Sequence, residues 1–130
     1  MKKQTGFWLD LAKENLLVIE KIIDDPVLTN MVAFHAQQAI EKSLKAILEE
    51  KKAKVPRIHN LITLIESLKE YLKIDLMEVI KELNEAYIET RYPAEMGLLP
   101  SGKPGLAQVK RFYEVAKKIN LQVESFLAKP

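Results

Sequence analysis

An all-α fold is predicted by three features of this 130-residue chain. Apolar residues recur every three or four positions in five separate segments. No segment alternates with period two for long enough to form a strand. Breaks at Asp24-Asp25-Pro26, around Val55-Pro56-Arg57, and from Pro93 to Pro104 mark three of the four boundaries between these segments. The length is that of one domain, able to bury a core without metals or crosslinks, so the expectation is a single compact bundle of about five helices over residues 1–130. No self-similar segment indicates a repeat array.

The first helix is predicted from Thr5 as its cap, with Trp8, Leu11, Ala12, Leu16, Ile19, Ile22 and Ile23 as its apolar stripe. Trp8, the only Trp, is expected to be a core residue. The second helix runs from about Val27 to Glu50 and organises the rest. At roughly 100° per residue it places Ala33, Ala36, Ile40, Ser43, Leu44 and Ile47 on one face and His35, Gln38, Lys42 and Lys45 on the other. Its small residues Ala36, Ala39, Ser43 and Ala46 allow close helix approach and favour self-association along this stripe, and Lys51 and Lys52 suit the negative end of the helix dipole.

Asn60 is a predicted N-cap for a third helix bearing Leu61, Leu64, Ile65, Leu68 and Leu72. A fourth starts near Asp75, with Leu76, Val79, Ile80, Leu83 and Tyr87 on one stripe. It ends near Arg91 because Tyr92, which precedes Pro93, is disfavoured in the α region. The same rotation places Arg91 on the inward side. A last helix carries Leu106, Val109, Phe112, Tyr113, Ala116, Ile119, Val123 and Phe126.

Composition excludes several kinds of chemistry. Without Cys there is no disulfide, zinc-thiolate site or Cys nucleophile. Two histidines and no H-E-x-x-H pair leave no metal or cofactor expected. Asp10 and Glu14 interrupt any apolar run at the start, which fits neither a signal peptide nor a spanning helix, so a cytoplasmic protein without membrane contact is expected. The net charge of +2 is spread without a basic block of the kind found in nucleic-acid arms.

Among polar residues, Gly97 to Lys103 matches the first seven positions of a phosphate-binding P-loop. Pro104 stands where the magnesium-binding hydroxyl belongs, and no strand precedes the loop, so the match is read as chance. What survives is a phosphate held by Lys103 and Ser101 near free amides, with Pro104 in the first helical turn. His59 is read as a structural residue of the turn. His35 lies with Gln38 and Lys42 on the polar face. Arg91 has two open readings, a cap for the end of the fourth helix or a guanidinium aimed at a phosphate.

The run Ala33 to Ala46, A-x-H-A-Q-Q-A-x-E-K-x-L-K-A, within Phe34 to Leu48, is followed by Pro56, His59-Asn60-Leu61 and Arg91-Tyr92-Pro93. Together these resemble the HEPN domains, the higher eukaryotes and prokaryotes nucleotide-binding helical family. The resemblance implies a helical bundle, commonly a homodimer, often working with a minimal nucleotidyltransferase. Many of its members are metal-independent ribonucleases whose signature is Arg followed by His after four to six residues. Arg91 matches the first half, but Met96, Gly97 and Leu98 occupy the positions open to His. The reading is a nucleotide-binding or partner protein without the complete ribonuclease motif, with Arg91, Ser101, Lys103, His35, Gln38 and Lys42 as candidate contacts for nucleotide or RNA. The alternatives are a ribonuclease toxin of a toxin–antitoxin pair, with Arg91 and a substituted base, and a helical protein-docking adaptor.

Overall fold

The computed structural model describes the backbone of residues 1–52, 54–91 and 103–129, and the side chains of these except 87–91. Five helices are present among them: α1 Lys3–Ile22, α2 Thr29–Lys51, α3 Leu61–Ser67, α4 Met77–Arg91 and α5 Leu106–Ala128. α2 packs against all four others, most extensively against α1 and next against α5. Apolar side chains of all five form one contiguous core.

Thr5 is not the cap of α1. The helix begins three residues earlier, with Lys2 at the N-cap and no side-chain cap of its own. The amide of that N-cap residue is met by the far end of α2, where Glu50 Oε1 accepts from the Lys2 amide and also from the Thr5 hydroxyl, both at 2.9 Å. A carboxylate from the antiparallel neighbour thus does what a local cap does elsewhere. Leu11 also departs from expectation, being 43% exposed on the outer side of α1.

The small residues of α2 are spent inside the chain. Ala33, Ala36, Ala39, Ser43 and Ala46 are all fully buried, so they bring α1 and α5 close and leave no small-residue stripe for a second copy. Ser43 donates to the Ala39 carbonyl and accepts from Asn120 of α5, so the hydroxyl is satisfied within the core.

Asn60 caps α3 as expected, its side chain accepting from the Thr63 amide at 3.1 Å. The helix is short, and Leu68 and Leu72 are buried beyond its end. α4 starts at Met77, two residues after Asp75, and buries Ile80, Leu83 and Ala86. α5 starts after Gly105, which places Pro104 before the N-cap and outside the first turn. Along α5 the expected stripe holds at Val109, Phe112, Ala116, Ile119 and Val123, while Tyr113 reaches the surface and donates to Glu20.

Candidate functional site

The polar residues of α2 fall into two groups, and the side chains that organise them come from α1 and from the segment before α3. Asn15, on the edge of the buried face of α1, sits between His35 and Lys42. Lys42 Nζ donates to Asn15 Oδ1 at 3.3 Å, and Asn15 Nδ2 lies 2.9 Å from His35 Nδ1. An ammonium only donates, so the amide oxygen must face Lys42 and the amide nitrogen His35. His35 Nδ1 is therefore the acceptor, and a neutral ring carries its proton on Nε2. Burial, and then the Lys42 charge, hold the His35 pKa below its ordinary value, in keeping with the neutral form. The outward groups of this row are an imidazole N–H and an ammonium, both donors.

The second group is built on Glu41, which is buried. Its Oε2 accepts from Lys45 Nζ and faces His59 Nδ1, each at 3.0 Å, and its Oε1 accepts from Gln37 Nε2 at 3.1 Å. Burial raises the Glu41 pKa, but the bonds from Lys45, Gln37 and His59 outweigh it and hold the carboxyl below the usual range. The carboxylate is thus an acceptor, and His59 donates from Nδ1. Gln37 also donates to the His59 carbonyl, tying the turn before α3 to α2, and Gln38 donates to Gln37 Oε1 at 2.7 Å.

Helical rotation alone puts Lys45 on the solvent side of α2, yet it is buried. The reason is tertiary. Trp8 and the segment carrying Val55, Pro56 and His59 cover that side, and the charge is tolerated because Glu41 lies one turn back. Trp8 is half-buried rather than central, with Nε1 donating to Glu49 Oε1 at 3.1 Å. His59 does hold the turn, through Glu41 and its own carbonyl.

The other candidates separate. The Lys103 ammonium is engaged with the Val27 carbonyl at 2.6 Å, so it braces the turn before α2. Ser101, Tyr92 to Gly102 as a whole, and the side chain of Arg91 lie outside the described residues. Among the described residues no group of three or more His, Asp or Glu is arranged to hold a metal, and no helix is long and apolar enough to cross a membrane.

Asn15, Gln37 and Glu41 do not stand out in the sequence as site residues. Two signals for them exist there: Asn15 falls in register with Trp8, Ala12 and Ile19, and Gln37, Glu41 and Lys45 recur at intervals of four.

A HEPN domain family model matches residues 5–125. The crystal structure of TT1696 from Thermus thermophilus is similar to this chain with a TM-score of 0.78 at 26% identity, covering 96% of this chain and 99% of that one. ST0689, an archaeal HEPN homologue, shares the fold with a TM-score of 0.69 at 19% identity, covering 96% and 98% of the two chains. No curated protein matches the sequence.

Proposed function

The chain belongs to the HEPN domain family, and from that premise we propose that it is a binding member of the family, a homodimer that holds the phosphate of a nucleotide or RNA and works beside a minimal nucleotidyltransferase rather than cleaving RNA. The observation that carries the phosphate reading is the Asn15 bridge. It fixes His35 and Lys42 side by side with donors outward and, among the described residues, no carboxylate bonded to either. Anionic oxygens are what such a row accepts, and a charge-assisted bond is worth about 1.5–3 kcal/mol. The absence of ribonuclease chemistry rests on Met96, Gly97 and Leu98, since Arg91 without a following His supplies a cation but no base for the ribose hydroxyl.

Fluorescence anisotropy with labelled single-stranded RNA and with ATP is the test. Binding should weaken as salt rises, and Lys42→Ala should lower affinity about tenfold, or about 1.4 kcal/mol. RNA should stay intact with or without chelator. If Arg91→Ala abolishes binding while Lys42→Ala leaves it unchanged, the ligand is not on α2. Chelator-resistant cleavage lost in Arg91→Ala would make the chain a ribonuclease.

The homodimer is supported by a different part of the surface from the small-residue stripe of α2. Phe7, Leu11 and Val18 follow one stripe of α1 and are 50%, 43% and 39% exposed. Large apolar side chains in a row are the kind of surface that a second copy covers. Sedimentation at micromolar concentration should give a dimer, and Leu11→Lys should return it to monomer. A monomeric wild-type protein removes this part of the proposal.

A further inference from the structure

Phe7, Leu11 and Val18 belong to a longer row on the outer side of α1. Gln4, Phe7, Leu11, Glu14, Val18 and Lys21 stand at alternating intervals of three and four, the spacing of a coiled-coil seam, and all six are exposed. The order of intervals is the same read from either end. A second copy of α1 running in the opposite direction therefore presents a matching seam about the point between Ala12 and Lys13, with Phe7 opposite Val18, Leu11 opposite Glu14 and Gln4 opposite Lys21. A parallel copy would instead set Glu14 against Glu14 and Lys21 against Lys21. Like charges meeting at both charged layers select against that arrangement and leave the antiparallel pair.

That register puts a carboxylate near the centre of an apolar stretch, where it needs a cation. Glu14 makes no hydrogen bond or ion pair within its own chain among the described residues. Leu11, which it faces across the seam, is one turn from Asn15 along α1, and Asn15 is the residue that holds Lys42 Nζ at 3.3 Å and His35 Nδ1 at 2.9 Å. The donors of Lys42 and the Nε2–H of His35 thus border the seam, and among the described residues no carboxylate of their own chain is bonded to them. We propose that in the homodimer Glu14 of each copy closes the donor row of the other, bonding Lys42 and His35 across the seam. The inference rests on the dimer and the phosphate row proposed above, and it gives that row a regulator. A phosphate takes the same donors as the carboxylate from the second copy and binds by displacing it.

Each contact occurs twice in a two-fold pair, so a single charge change is felt strongly in the dimer dissociation constant, read by sedimentation. Glu14→Lys breaks no bond of the free chain among the described residues and should melt at the wild-type temperature. It should weaken dimerisation by about tenfold or more, and so should Lys42→Glu. The double variant Glu14→Lys with Lys42→Glu exchanges the two charges and should return to within about threefold of wild type. Glu14→Gln removes the competing charge and should bind single-stranded RNA about threefold more tightly than wild type at concentrations where both are dimers. The proposal is overturned if Glu14→Lys dimerises as wild type does, if the double variant is as weak as the two singles combined, or if Glu14→Gln and wild-type dimers bind RNA equally. A wild-type monomer removes the dimer and this pairing with it, whereas a wild-type dimer that Leu11→Lys breaks and Glu14→Lys leaves intact removes the pairing alone.

Discussion

The two histidines of this protein are both held at Nδ1 by a side chain one helix contact away, and they are left with opposite chemistry. His35 accepts from an amide whose oxygen is claimed by Lys42, so its outward nitrogen is a donor. His59 donates to an ionised carboxylate, so its outward nitrogen is an acceptor in the neutral ring. One residue type thus serves a donor row at the surface and the edge of a buried ionic group nearby. What differs is the partner at Nδ1, and that partner is chosen by the packing of α1 and of the turn before α3 on α2.

The contrast extends to energetics, because the Glu41 group is buried and charged while the Asn15 group is half-exposed and carries one charge. The larger expected effect is therefore at Glu41. Glu41→Gln leaves Lys45 buried without its counter-charge and should cost about 3–5 kcal/mol in chemical denaturation. Lys45→Met should also destabilise, and the double variant should cost well under the sum of the two singles, since it removes both charges together. Additive single effects would mean that the two side chains do not act as a pair, and the account of why Lys45 is buried would fail.

The smaller effect is at His35 and is read by pH. Its folded-state pKa lies below the unfolded value of 6.5, so below about pH 6.5 the unfolded chain binds more protons than the folded one. The stability contributed by the neutral ring is complete above that pH and is lost as pH falls through 6.5 toward the folded value. Unfolding measured at about pH 7.5 and about pH 5.5 should show wild type losing more stability over this interval than His35→Gln. Glu41 does not confuse the comparison, because its carboxyl, depressed below 4.5, loses its contribution only at lower pH. Equal pH dependence in the two proteins would place the neutral His35, and the outward donor with it, in doubt.

Legibility was high wherever a property depends on local spacing. The helical class, the Asn60 cap and most of the α5 stripe follow from intervals of three and four and from the short reach of a capping side chain, all of which act within a few residues. The Ala33 to Ala46 pattern carried the family. Tertiary structure decided the rest. Thr5 lost its capping role because Glu50, 45 residues away, reached the start of α1. Lys45 was drawn inside by a cover from Trp8 and the 55–59 segment, and Lys103 was turned to the Val27 carbonyl, 76 residues from it in sequence. The small residues of α2, suited by size to a second copy, face α1 and α5 instead. Periodicity says which residues share a side of a helix, because that is set by the backbone rotation of one residue relative to the next. It does not say what packs there, and the partner across the contact fixes whether a polar group is a donor or an acceptor, charged or neutral, buried or free.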